Sequence, residues 1–195
     1  MIAANPNAIF EDLFLYDEYI EMGDIEQRYH LQPFERRKIY NDFCEIKDVS
    51  GETNRDKIKR IRGLYHNKKS KKDESWSFTD FKSFYYWYVA QYDKQKSCCE
   101  YCKTPEKNIA IITRKIKAKG FKSRGKHLEV ERRDSTVGNN KYNKDNCVLC
   151  CIFCNNAKST LFKQDEFKPI ADGIGLAVRN ILKIDKFSNK LDLSC

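Results

Sequence analysis

The chain has 195 residues, of which 41% are hydrophobic, 13% aromatic and 33% charged. That is a globular composition with enough residues to bury a sizeable core, and too aromatic for a disordered chain. No apolar run approaches the ~20 residues of a membrane span, and the opening MIAANPNAIFEDLF lacks the basic start of a secretory leader, so the expectation is a cytoplasmic protein with no membrane partner.

The net charge of +9 is unevenly spread. Residues 1–32 hold seven acids against one base, a local −6, which leaves +15 on the rest. A basic body points to a polyanion, usually nucleic acid, over the plainer reading of a solvated basic surface.

Residues 10–47 read as helical, with Phe10, Leu13, Phe14, Tyr16 and Ile20 on a stripe and Pro33 in the first turn of a second helix. Residues 48–54 form a turn-rich break. A third helix is expected from Asn54, as N-cap, through Ile58, Ile61, Leu64 and Tyr65, with Arg55, Lys57, Lys59, Arg60 and Arg62 on its basic face. The lysine-rich segment 68–72 reads as a loop. Residues 78–91 form an aromatic helix whose Phe81, Phe84, Tyr88 and Val89 share a face; helical spacing favours core packing over base stacking. Within an insertion at 103–126, Ile109–Thr113 reads as a short strand, followed by a basic hairpin or loop carrying Lys115, Lys117, Lys119, Lys122, Arg124 and Lys126. Pro169 opens a last helix with Ile170, Ile174, Val178, Ile181 and Leu182 on one face, and residues 186–195 form a tail. The domain reading is an N-terminal helical region at 1–75, a main domain at 76–185 and that tail.

The nine cysteines sit at 44, 98, 99, 102, 147, 150, 151, 154 and 195. Two tight groups without a secretory context indicate metal ligation before a disulfide framework. Cys99–Cys102 and Cys151–Cys154 each give C-x2-C, and four thiolates in two such turns suit tetrahedral Zn2+. Cys98, Cys147 and Cys150 are adjacent spares, with Cys147 on a strand, and Cys44 and Cys195 are expected to be free. Four thiolates around one Zn2+ bring the net charge to about +7, and a closed four-sulfur site is structural, with no open position for water.

Between the two cysteine pairs lies Leu128-Glu-Val-Glu-Arg132, then a polar loop, then Asn146-x4-Cys151-x2-Cys154-Asn155-x2-Lys158. This strand, loop, strand, knuckle, helix pattern over residues 98–162 resembles the HNH, or ββα-metal, nucleases in their four-cysteine form, and within them a bacterial restriction-enzyme group that also carries an acid–Arg pair. The resemblance implies an α+β, mainly helical fold with a ββα-metal module and zinc knuckles surrounded by helices. It places a catalytic Mg2+ or Mn2+ on Glu131 and Asn155, makes Asn146 the residue that pins the long loop, and leaves Lys158 either to hold a phosphate or to be an ordinary surface lysine.

Glu131 stands where Asp is commoner, and Arg132 where most members have a general-base His. Arginine stays protonated and is a poor base but a good clamp on a phosphorane. His127, His66 and Tyr142 are therefore the candidates for activating water; the bland readings are a strand-end surface residue for His127 and a helix C-terminal cation for His66. The implied function is a metal-dependent endonuclease on double-stranded DNA, a type II restriction enzyme acting as a homodimer. The alternatives are a non-specific, homing or defence nuclease, or a catalytically inactive zinc module that only binds DNA.

Overall fold

The structure, a computed structural model, describes residues 45–47, 52–71, 75–116 and 124–184. The expectations for the helices before residue 45, the segment 117–123, Cys44, Cys195 and the tail lie outside these residues. In chain order the elements are α1 (Asn54–Lys71), α2 (Phe81–Lys94), α3 (Glu106–Ile116), β1 (Glu129–Arg132), β2 (Cys147–Cys150), α4 (Ile152–Lys158) and α5 (Gln164–Ile184). The described residues form a mainly helical α+β fold with one small two-stranded sheet. None of the described helices is long and apolar enough to cross a membrane.

Two compact units divide it: Met1–Asn67 with Thr79–Tyr86, and Lys68–Phe78 with Trp87–Cys195. In the first, Ile58, Ile61 and Tyr65 of α1 are buried at i, i+3 and i+7. Tyr65 packs on Phe81 and Phe84, with ring centroids 5.7 and 5.6 Å away. The cap of α1 falls one residue before the expected Asn54. The Thr53 hydroxyl accepts from Asp56 N–H at 3.2 Å and donates to the Asp56 carboxylate at 2.8 Å, a reciprocal N-terminal pair. Lys68–Lys71, expected as a loop, continues α1, since lysines are good helix formers and need no break. The aromatic helix begins at Phe81, not Phe78, because Asp80 caps it: its Oδ1 accepts from Ser83 N–H at 2.7 Å.

The second unit holds the ββα arrangement. β1 and β2 pair antiparallel, with Glu131 opposite Val148 and Arg132 opposite Cys147. Gln95 covers the outer edge of β2 like a short strand: its Nε2 donates to Leu149 O at 2.7 Å and its Oε1 accepts from Leu149 N at 3.0 Å. The expected strand at Ile109–Thr113 is helical. Asn108, Ile109, Ile112 and Thr113 are buried at helical spacing, and Ile112 joins Val178 and Leu182 in one cluster. Packing against α5 overrides the strand preference of the isoleucines.

α5 starts at Gln164, five residues before Pro169. Glu166 reaches back to accept from Lys163 N–H at 2.8 Å, half of a capping box. Pro169 forfeits one helical hydrogen bond in an exposed early turn. The buried stripe is Phe167, Ala171, Gly175, Val178 and Leu182; Ile170 and Ile181, expected in it, are 40% and 41% exposed.

Candidate metal centre and active site

Cys99, Cys102, Cys151 and Cys154 converge, all buried, with their sulfurs within 4.8 Å of one another. Cys102 Sγ and Cys151 Sγ are 3.7 Å apart, and two sulfurs on a tetrahedral Zn2+ with ~2.3 Å bonds lie about 3.8 Å apart. The donor set therefore fits the ion. The spacing of the second pair has a local cause. Cys151 is the N-cap of α4 and its sulfur accepts from Cys154 N–H, so an N-cap and its N3 residue place two sulfurs side by side. Cys151 N–H donates to Cys99 Sγ at 3.2 Å, and Thr104 Oγ1 lies 3.2 Å from Cys102 Sγ. Hydrogen bonding from Cys151, then Cys154 and Cys99, lowers the Cys102 thiol below its ordinary range. Cys147 and Cys150 lie on β2, outside the cluster. α5 crosses directly over the knuckle, where a Cβ on Gly175 would meet Cys102 O at 2.7 Å.

Successive strand residues face opposite ways, so Glu129 and Glu131 share one face of β1. That face meets α4. Glu131 is 4% exposed and Lys158 is 0% exposed, with Lys158 Nζ 3.6 Å from Glu131 Oε1. Among the described residues Lys158 Nζ has no hydrogen-bond partner. The surface reading of Lys158 is thus excluded, and its ammonium faces a carboxylate instead of solvent. Burial raises the Glu131 carboxyl above its ordinary value, while the charges of Lys158, Lys68 and Arg132 oppose the rise. Burial likewise lowers the Lys158 ammonium, and Glu131 opposes that. One buried carboxylate among three cations leaves a local excess of positive charge.

Asn155, one turn before Lys158 on α4, donates from Nδ2 to Glu129 Oε2 at 2.5 Å, not to Glu131. Arg132 is 6% exposed. Its guanidinium donates to Asn140 O at 3.0 Å and stacks 4.7 Å from the centroid of Tyr142, while its Nε is buried without a partner among the described residues. Lys68 Nζ lies 3.4 Å from the Tyr142 hydroxyl, which makes Lys68 a member of this cluster that its loop-like sequence context had hidden. Arg133 turns elsewhere, donating to Glu100 Oε1 at 2.9 Å and to Gln164.

Asn146 holds the loop between the strands. Its Nδ2 is shared among the carbonyls of Asp134, Asn139 and Lys141 at 2.8, 2.8 and 3.0 Å, and its Oδ1 accepts from Asp134 N–H at 2.9 Å. His127 sits before β1 and pairs through Nδ1 with Glu106 Oε1 at 3.2 Å; Glu106 also accepts from Leu128 N–H at 2.7 Å. His66 is exposed on α1 in the first unit, edge-on to Tyr65. The residues that sequence reasoning passed over are Glu129, Lys68 and Glu106. For Glu129 the signal was present, two residues before Glu131 on the same strand face.

No family model matches the chain, and no curated protein matches it. Among solved structures the chain is similar to the rare-cutting HNH restriction endonuclease PacI, whose structure is described as exhibiting a mechanism of DNA perturbation. The identity is 22% and the TM-score 0.48, with 70% of this chain and 87% of that chain covered.

Proposed function

We propose that the chain is a metal-dependent endonuclease of the HNH, or ββα-metal, class acting on double-stranded DNA, with residues 76–185 as its nuclease domain. The observation that carries this reading is the buried carboxylate of Glu131, set among Lys158, Lys68 and Arg132 on a strand–strand–helix unit whose helix is capped by one of four converged cysteines. A local excess of cations with one hard anionic oxygen donor suits a phosphodiester far better than a neutral substrate. The cysteines hold Zn2+ as a structural ion. Glu131 Oε and Asn155 Oδ1 are the hard oxygens for Mg2+ or Mn2+, an ion satisfied by one or two protein ligands with water and phosphate completing its shell.

That ion, when bound, supplies Lewis-acid polarisation of the scissile phosphate. The chain's own residues do the rest. Lys158, 3.6 Å from Glu131 Oε1, opposes the loss of charge that burial imposes on this carboxylate. Arg132, braced by Asn140 and Tyr142, presents a fixed cation for the charge that builds up on the phosphorane. Asn146 holds the loop that carries Asn140. The proton of the attacking water goes to His127 or Tyr142, which single substitutions separate. The finer reading is a type II restriction enzyme working as a homodimer on a palindromic site, one active site per strand.

Plasmid incubated with the zinc-loaded protein and Mg2+ tests all of this. Discrete bands support the restriction enzyme, a smear supports a non-specific nuclease, and intact DNA that is nonetheless shifted in a gel leaves a binding module.

A further inference from the structure

Asn155 has an unexpected partner. Its amide NH2 is 2.5 Å from Glu129 Oε2, and Glu129 is itself gripped by Arg124, Nε to Oε1 at 3.0 Å and Nη2 to Oε2 at 2.7 Å. An asparagine amide can be turned either way round, and its neighbours decide which. Both oxygens of the Glu129 carboxylate already accept from the Arg124 fork, so the group meets Asn155 as an acceptor. The Asn155 nitrogen must then face Glu129, and the Asn155 oxygen must face away from it. Among the described residues no other hydrogen bond holds this side chain.

Resting on the reading that Asn155 is a metal ligand, we propose that Glu129 is its positioning residue: through Arg124 and Glu129 the Asn155 amide is locked with its oxygen free to meet the divalent ion. Without Glu129 the amide loses both its fixed orientation and the hydrogen bond that polarises its oxygen toward the ion, and the ion must order the side chain as it binds. Partners behind a ligand commonly change metal affinity by about 10–100-fold. The same contact joins the end of the basic segment, at Arg124, to the helix that carries Asn155.

The test uses the full-length zinc-loaded protein and Mn2+ titrated by electron paramagnetic resonance, alongside the Asn155 side-chain NH2 signals in a 15N correlation spectrum. Those signals are assigned by their loss in Asn155→Ala. Glu129→Ala is expected to weaken Mn2+ binding at least tenfold and to move the Asn155 NH2 signals. Glu129→Gln, isosteric and still able to accept, recovers part of the affinity. Cleavage by Glu129→Ala recovers toward the wild-type rate at saturating metal, since the defect lies in metal capture. Should Glu129→Ala fail to retain zinc, Glu129→Gln and Arg124→Ala carry the test, each expected to shift the NH2 signals. Wild-type Mn2+ affinity and unmoved NH2 signals in these variants, while Glu131→Ala and Asn155→Ala lose Mn2+, would overturn this proposal alone. Wild-type Mn2+ affinity in Glu131→Ala would instead overturn the metal-site reading beneath it.

Discussion

Lys158 is the residue whose setting differs most from its appearance in the sequence. A lysine in the last turn of a short helix reads as a solvated cation, yet its stem is enclosed and its ammonium faces Glu131. Residues in one buried pair do not act additively, so a double-mutant cycle with Glu131→Gln and Lys158→Met is expected to show a coupling of about 1–3 kcal/mol in chemical denaturation. Additive effects would mean the two groups do not interact. The pH dependence follows from the same burial. Glu131 is raised above its ordinary value, so the folded chain holds this proton more tightly than the unfolded one. That stabilisation is present at low pH and is lost as pH rises through the folded pKa, over the same range in which the Glu131 carboxylate forms. Cleavage should therefore climb with pH at a midpoint above the ordinary glutamate value of about 4.3, measured where zinc content is constant. A flat profile across that range would contradict this. For Arg132, replacement by Ala is expected to lower single-turnover cleavage by about 10²–10³, with DNA affinity within about tenfold. Arg132→Lys keeps the charge but not the fork, and should recover little. Arg133→Ala is expected to act through the knuckle side, where Glu100 and Gln164 hold it, and to lower stability more than rate.

At the scale of elements, the parts of the fold legible in the sequence were those fixed by short-range chemistry. The two C-x2-C turns, the strand carrying Glu131 and the aromatic helix are spaced by local geometry, an N-cap sulfur in one case and an aspartate cap in another. The misread parts depended on distant partners. Ile109–Thr113 looked extended because of its isoleucines, and only packing on α5 makes it helical. The face of α5 is set by Gly175, whose closeness to Cys102 O no local pattern announces. Gly175→Ala should therefore destabilise the protein by about 1–3 kcal/mol and release zinc at lower chelator concentration than wild type; unchanged melting and zinc retention would mean α5 can move aside freely. Asp80 gives a second test. Hydrogen bonds from Ser83 hold its carboxyl below the ordinary range, so its cap contributes stability above that range and loses it as pH falls through the depressed value. Asp80→Ala is expected to cost about 1 kcal/mol at neutral pH, shrinking toward zero in strong acid; a penalty independent of pH would rule out the charged cap.

At the scale of the whole molecule, the four cysteines and the positive charge make separate demands. Cys151 is both a member of the four-cysteine cluster and the cap of α4, so Cys151→Ser is expected to lose zinc and much of the cooperative thermal transition; unchanged zinc by elemental analysis would contradict the proposed zinc site. If the basic body neutralises about six phosphates, log K for DNA should fall with log salt at a slope near −5, and a nearly flat dependence would remove the nucleic-acid reading.

The most direct measurement is single-turnover cleavage of supercoiled plasmid by zinc-loaded wild type, Glu131→Ala and Arg132→Ala, with Mg2+ and with chelator. Cleavage by wild type is expected only with the divalent ion, none by Glu131→Ala at ordinary metal concentrations, and cleavage slowed by about 10²–10³ in Arg132→Ala whatever the metal concentration. DNA left intact by folded, zinc-loaded wild type, or cut equally well by Glu131→Ala, would contradict the proposed mechanism.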